Sequence, residues 1–405
     1  IYIINKSKMK IPAQSSLLLR QALQKAAKCV DPKNAIAILG NVLLTQKDGK
    51  FFFVSATTDS QLKVPAPFSI VEGNFTDDVI LHLDDILRLL ATLPGDCVIT
   101  FELSEQTGSH SMNIEYCTHN GETAKQGKIR MDFEDATEFP LVAPFQNGIS
   151  HIALPMPVFK EVLSHAGKFV ANDELRPVMN CLCIDEAEDL SQVTFVASTG
   201  HILLKVIHTN DPKTGGSDYY REGKASKILV HSSYLKIFSV FDDCETIDIE
   251  DNENVIRFTA DDIELICKKV EGGYPNYNSV IPRNNPYSIV MSKSELTSVV
   301  KRVALFSSES SNMISLQKKG MFLNVHAEDI DFGTFADDQV LIQDSNCPED
   351  FRIGFKASSL LDCVAVIPGD TVRLELNDPS RAGIFVPNES SPKQLSLLMP
   401  MLLND

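Results

Sequence analysis

The sequence predicts an α+β fold of three repeated units, each with two helices packed on antiparallel sheet. Three observations predict it. Leu90–Leu103 (LATLPGDCVITFEL) and Val364–Asn377 (VAVIPGDTVRLELN) both run from an apolar helix end through Pro-Gly-Asp into an alternating strand. They lie about two periods of roughly 137 residues apart. A middle copy, Ser233–Glu250 (SYLKIFSVFDDCETIDIE), keeps the helix-then-strand order, with Asp-Asp-Cys replacing the turn. In every third, an amphipathic helix and a hairpin come before this element, in the same order.

In the first third, Ser15–Val30 (SSLLLRQALQKAAKCV) repeats apolar residues at three- and four-residue spacing, the pattern of a helix with one buried stripe. Lys47-Asp48-Gly49 turns a hairpin between apolar runs. The middle third opens on the helix Met156–Val170 and turns its hairpin around Glu186–Asp189. Its strands echo the first third, FFFVSATTDSQLKV against VTFVASTGHILLKV. His208–Ser226, rich in Gly, Asp and Lys, reads as a long surface loop. The last third opens on Lys293–Phe306 and turns around Lys318-Lys319-Gly320. Composition shifts to Pro, Asn and Gly at Val142–Ser150 and Ile281–Tyr287, giving domains 1–146, 147–284 and 285–405.

Charge and cysteine usage narrow the function. Lys and Arg number 37 against 54 acidic residues, a net charge of −17, with 43% hydrophobic and 22% charged residues among 405. That is ordinary globular composition, and the acid excess argues at first against a phosphate-rich partner. No run approaches the ~20 apolar residues of a membrane span, and the N-terminus lacks the apolar core of a signal peptide. Nine dispersed cysteines with no C-x-x-C read as reduced thiols, Cys181 and Cys183 as same-face strand residues. The expectation is a soluble cytoplasmic protein with no metal and no cofactor. No G-x-S-x-G elbow, P-loop or H-E-x-x-H motif occurs, so Ser198 and His201 are not expected to be catalytic. Paired acids such as Asp77-Asp78, Asp242-Asp243 and Asp261-Asp262 read as turns or solvated faces.

The chain resembles the bacterial replicative sliding clamp, the beta subunit of DNA polymerase III, from about Met9 to Leu403. The motifs that carry this are Ile38-Leu39-Gly40-Asn41, Phe139-Pro140, Ala197-Ser198-Thr199-Gly200-His201, Gly273-Tyr274-Pro275-Asn276-Tyr277 followed by Val280-Ile281-Pro282, and the ending Met399-Pro400-Met401. The resemblance implies a non-catalytic processivity factor, a head-to-tail homodimer closing six domains into a ring around duplex DNA. It implies dimer contacts at Ile129 and Met131 on one edge, and at Leu305 and Phe306 on the other. It further implies an apolar groove for short peptides of the polymerase III catalytic subunit, the clamp loader and repair proteins. Arg176, Val178, Met179, Ser198, Gly200, His201 and Leu203 would line it, with Pro275 and Val280 as a second wall. Leu397, Leu398, Met399, Pro400, Met401 and Leu402 would complete it. Val178, Ser198 and Leu402 depart from the residues common in relatives, which are an aromatic, a threonine and a basic residue.

Sorted by element, the charge is uneven. Predicted helices carry Arg20, Lys25, Lys28, Arg88, Lys160, Lys168, Lys236, Lys293, Lys301, Arg302 and Lys356, against fewer acids, Asp84, Asp85, Glu161, Glu295 and Asp362. Lys33, in the loop after the first helix, matches a basic family position near DNA. With the resemblance, these residues line a sequence-independent DNA channel. On the residues alone, solvated helix faces are the favoured reading, and a non-ring scaffold or peptide-binding module of repeated α+β domains stays open.

Overall fold

The computed structural model describes residues 5–10, 16–31, 36–75, 78–95, 97–106, 109–120, 123–142, 145–148, 150–189, 191–209, 220–223, 225, 227–389 and 393–403. It divides into two compact units. One takes the chain up to Met156 together with Lys236–Lys269; the other takes Pro157–Leu235 and the chain from Val270 onward. The cut falls inside the middle third for a reason visible in the hydrogen bonding. The last strand of the middle third, Ile263–Lys268, pairs antiparallel with Ser60–Ala66 of the first. The middle-third strand Ile202–Thr209 pairs in the same way with Gln394–Leu398 of the last. Backbone ladders form wherever two edges meet, whatever the side chains, so each half of the middle third is fused to a different neighbour.

In the first unit, one sheet runs in the order Ser69–Gly73, Asn5–Lys10, Val98–Gln106, Ser109–Asn120, Thr123–Asp132. A second sheet contains the meander Val42–Lys47, Lys50–Ala56, Ser60–Ala66, continued by Ile263–Lys268, Val255–Ala260, Thr246–Asp251 and Ser150–Pro155. The first hairpin turns as its sequence predicts. Asp48 and Gly49 both adopt positive φ (51° and 79°), the twist that suits two antiparallel strands. Helices α1 (Ser16–Ala26) and α2 (Leu83–Thr92) bury Leu19, Leu23 and Ala26, and Leu83, Ile86 and Leu90. Phe68 packs edge-on against Phe51, Phe53 and Phe101, with centroids 5.1–6.0 Å apart.

The second unit holds one twelve-stranded sheet. The middle-third strands Cys181–Glu186, Gln192–Ser198 and Ile202–Thr209 are followed in it by Gln394–Leu398, Gly383–Pro387 and Thr371–Leu376. The sheet ends on Tyr287–Ser292, Thr334–Ser345, Phe322–Asp329, Met313–Lys319 and Arg352–Lys356. Helices α3 (Met156–Phe169), α4 (Lys293–Val303) and α5 (Ala357–Ala365) complete the α content among the described residues. α4 buries Leu296, Val299, Val300 and Val303, the i, i+3, i+4, i+7 stripe of an amphipathic helix.

One predicted helix takes another form. The second helix of the middle third is two 3-10 segments, Ser232–Tyr234 and Ile237–Phe241. The sequence there is aromatic and β-branched, which lowers helix propensity. Packing then sets the conformation, with Ile237, Phe238, Val240 and Phe241 all buried and Phe238 edge-on to Phe258 at 4.7 Å. All nine cysteines are free thiols. Among the described residues, no helix is long and apolar enough to cross a membrane.

Candidate functional site

A concave groove of about 530 Å³ opens on the second unit. Its lining comes from four regions distant in sequence, one of them the turn Ser380-Arg381-Ala382. Met179, Ser198, Gly200 and Leu203 contribute from the middle-third hairpin region, Pro275 and Val280 from the connector to the last third, and Leu397 and Met399 from the last strand. Tyr274, Tyr277 and Ile281 add apolar surface. Beneath it lies a buried cluster that includes Cys181, Cys183, Val196, Leu203, Tyr274, Ala382 and Leu397. Such a site, apolar with few polar groups, suits an extended peptide or a small apolar ligand.

The wall formed by residues 198–202 is a tight turn held by its own hydroxyls. Ser198 Oγ donates to the Ile202 carbonyl at 2.9 Å and accepts from the Gly200 amide at 3.1 Å. Thr199 Oγ1 accepts from the amides of His201 and Ile202, both at 3.2 Å. Gly200 sits at φ 93°, where a Cβ would be strained. The Ser198 hydroxyl is therefore engaged with backbone and is not poised as a nucleophile. The His201 carbonyl accepts from the Met399 amide at 2.8 Å, and the Met401 amide donates to the Gly354 carbonyl at 2.8 Å. These two bonds seat the C-terminal segment beside the groove.

The remaining sequence-derived groove residues lie off its lining. Leu398 is 1% exposed and alternates to the opposite face from Leu397, as the period of a strand requires. The Val178 side chain packs on the buried cluster and under Gly272, where a Cβ would come within 3.1 Å of it. Arg176 is tied to its own turn by a 2.8 Å bond from Nε to Asp173. His201 faces solvent, Pro400 and Met401 are half-buried, and Leu402 is 85% exposed. Sequence reasoning passed over Tyr274, Tyr277 and Ile281, although they stand in the very motifs that carry the resemblance. It also passed over Ser380, Arg381 and Ala382, whose arrival depends on the strand order.

The basic side chains divide by environment. In the first unit, Lys28, Arg88 and Lys236 are exposed and Arg20 is half-buried. Lys25 pairs with Asp243 at 3.2 Å beside a shallow depression also lined by Lys28 and Gln24. In the second unit, Lys160, Lys301 and Lys356 are exposed. Lys168 pairs with Asp362 at 2.9 Å, and Arg302 holds Asp338 through Nε (2.9 Å) and Nη2 (2.6 Å). Lys293 donates to the Ala365 carbonyl at 3.0 Å and to that of Ile367, capping the end of α5, and burial lowers its pKa. Among the described residues, Lys28, Arg88, Lys236, Lys301 and Lys356 form no ion pair. Lys33 lies outside the described residues.

Two edges are open. Among the described residues, Thr123–Asp132 ends its sheet and pairs on one side only, with Ser109–Asn120. Ile129 and Met131 are half-buried on the face they share with Ile114 and Met112, while Lys128 and Arg130 are exposed. In the second unit Leu305 is 80% exposed and Phe306 is exposed, both in a 3-10 turn after α4.

A family model described as DNA polymerase III beta subunit, C-terminal domain, matches residues 278–402. The beta sliding clamp of Synechocystis sp. is 24% identical over 400 residues, covering 95% of this chain and 97% of that protein. The beta sliding clamp of Bacillus subtilis is 21% identical over 400 residues, covering 96% and 99%. A DnaN sliding clamp from Pseudomonas aeruginosa, solved bound to griselimycin, superposes at a TM-score of 0.83 with 19% identity, over 98% of this chain and all of that one. Over nearly its whole length this chain is similar to bacterial beta sliding clamps. The sliding-clamp fold accounts for the α+β architecture with few helices, and the C-terminal clamp match spans Val280, Arg381, Leu397 and Met399 of the groove.

Proposed function

We propose that this protein is a DNA sliding clamp, a non-catalytic processivity factor in which two copies close head to tail around duplex DNA. The observation that carries this reading is an incomplete series of strand junctions. The third strand of the first meander, Ser60–Ala66, pairs with the last strand of the middle third. The third strand of the second meander, Ile202–Thr209, pairs with the last strand of the final third. The third strand of the last meander, Thr334–Ser345, pairs over residues 334–341 with Phe322–Asp329 alone. The last strand of the first third, Thr123–Asp132, is also open on one side. Two unmatched edges of complementary kind on one chain make a heterologous interface that a second copy satisfies.

Charge and apolar surface support the same pairing. Lys128 and Arg130 are exposed on one edge, Lys128 also pairing with Glu115 at 3.3 Å, while the other carries exposed Asp331 and Asp337. Ile129 and Met131 on the first edge match Leu305 and Phe306 near the second in apolar character. The three domains would be 1–146, 147–284 and 285–405, and the exposed helix lysines and arginines would face phosphates without reading bases. The groove would take short peptides of the DNA polymerase III catalytic subunit, the clamp loader and repair proteins, in the cytoplasm.

The test is retention on nicked circular DNA before and after linearisation, with a clamp loader supplied. A clamp stays on the circle and runs off the linear form. Equal retention on both forms would leave a scaffold that binds DNA without enclosing it.

A further inference from the structure

The groove is apolar with a single charged exception. Among its described lining residues, the only ionisable side chain that is charged at neutral pH is Arg381, which sits in the turn Asp378-Pro379-Ser380-Arg381. That turn is built around one carboxylate. Asp378 Oδ1 accepts from the Ser380 amide at 2.9 Å and from the Ser380 hydroxyl, and Oδ2 forms an ion pair with Arg381, 3.1 Å from its Nε. The Arg381 amide also donates to the Asp378 carbonyl at 3.0 Å. These bonds hold the Asp378 carboxyl below the usual carboxylate range, with the Ser380 bonds the larger cause.

The guanidinium is thereby oriented without being used up. The ion pair with Asp378 faces the Nε side of a guanidinium that carries five N–H donors. Among the described residues the Nη fork forms no hydrogen bond, and the side chain is 63% exposed. A fork held by its stem is the arrangement that receives a carboxylate in bidentate fashion. The next charges out reinforce this sign. Lys205 and Lys227 lie over the ring of Tyr277, at 5.5 and 5.6 Å from its centroid. They face Asp185, which accepts from the Tyr277 hydroxyl at 2.7 Å and pairs with Lys227 at 3.0 Å. Around the groove three cations thus stand against two carboxylates, in a chain whose net charge is −17.

We propose that Arg381 receives a carboxylate of the docked peptide, so that the groove selects peptides pairing apolar anchors with one acidic residue. This deepens the reading of the groove as the client site and rests on it. Apolar side chains would fill the surface of Met179, Leu203, Tyr277 and Leu397, and the acid would meet the Nη fork at the rim. Arg381 is then a specificity residue, supplying discrimination between peptides more than affinity as such.

The experiment uses the full-length chain and capped hexapeptides of leucine, phenylalanine and serine, labelled for fluorescence anisotropy. One series carries a single aspartate walked through each position; the other carries asparagine at the same place. At about 50 mM salt, one aspartate position should bind roughly three- to tenfold tighter than its asparagine counterpart, and the difference should shrink at about 500 mM. Arg381→Gln should abolish the difference between the two series, and Arg381→Glu should invert it. Val280→Asp, at an exposed lining position, should weaken both series. Equal binding of both series at every position, with Val280→Asp still weakening both, overturns the role of Arg381 and leaves the groove as the peptide site. If Val280→Asp weakens neither series, or no peptide binds, the groove reading itself falls, and this proposal with it.

Discussion

Gly354 has no room for a methyl group. A Cβ there would stand 2.8 Å from the Met401 carbonyl oxygen and 2.7 Å from Leu403 Cδ2. The leucine tip can swing away, but the backbone carbonyl can move only with the whole C-terminal segment. Gly354→Ala is therefore expected to cost about 1–3 kcal/mol of stability. It should also weaken peptide binding several-fold by displacing the wall that carries Met399, while dimer mass stays the same. Thermal melts, anisotropy and sedimentation on one preparation separate these effects. Met399→Ala should weaken peptide binding with little loss of stability, because that side chain is 41% exposed. Sequence alone gave no hint of Gly354, since its constraint comes from residues almost fifty positions downstream.

A second residue-scale prediction concerns pH. The Arg302 guanidinium, hydrogen-bonded to Asp338, is the main cause holding that carboxyl below its usual range. A depressed folded-state pKa stabilises the protein above the unfolded-state value, near 3.9 for Asp, and that gain is lost as pH falls through the folded-state value. Arg302→Gln should thus lower thermal stability slightly at about pH 6, by no more than about 1 kcal/mol for so exposed a pair. The wild-type advantage should shrink as pH falls through the usual carboxylate range and below it. An unchanged difference between the two proteins across that range would show that the pair contributes nothing through Asp338.

At the scale of elements, local rules account for the helices and turns where packing makes no competing demand. α4 begins as its sequence predicts. Ser292 caps it by accepting from the Glu295 amide at 3.4 Å, and Lys301 and Arg302 occupy its last turn, favourable for the helix dipole. The Ser-x-x-Glu spacing suggests a capping box, yet Glu295 Oε1 accepts from the Leu341 amide at 3.1 Å instead, tying the helix to the strand Thr334–Ser345. Ser292→Ala should cost about 1 kcal/mol, and Glu295→Ala should cost more than a simple cap because it also frees a strand amide. Chemical denaturation of the two variants gives that ordering directly. Where packing does compete, as at Ile237–Phe241, aromatic burial replaces the predicted helix with 3-10 turns. A one-dimensional pattern of apolar residues does not distinguish the two, because both present i and i+3 to the same side.

At the scale of the molecule, the open edges predict assembly. The protein should sediment near twice its 44.7 kDa chain mass. Replacing Lys128 and Arg130 together by glutamate should shift it toward monomer, with the wild-type dimer itself weakened by salt. Phe335, 66% exposed on the unpaired stretch of its strand, should act in the same direction when changed to serine, because a second copy would cover it. A wild-type protein that stays monomeric at micromolar concentration would remove the basis for enclosure of DNA. The net charge of −17 bears on this scale only through its distribution, with uncommitted lysines and arginines on helices and carboxylates concentrated on strands and turns.

The sequence by itself determined what is local and periodic. It fixed the threefold repeat, the amphipathic helices, the Asp48-Gly49 turn and the apolar last strand, because spacing and turn chemistry act between near neighbours. It also carried enough family motif to point to Met179, Ser198, Leu203, Val280 and Leu397 as a group. Only the tertiary structure decided which edges fuse, because backbone ladders are blind to side-chain identity, and so the middle third is shared between two compact units. Only it showed that Lys293 caps α5, that Leu398 turns away from the groove, and that Arg381 joins Leu203 and Tyr277. Those outcomes depend on strands brought together across nearly two hundred residues, a separation at which no local pattern carries information.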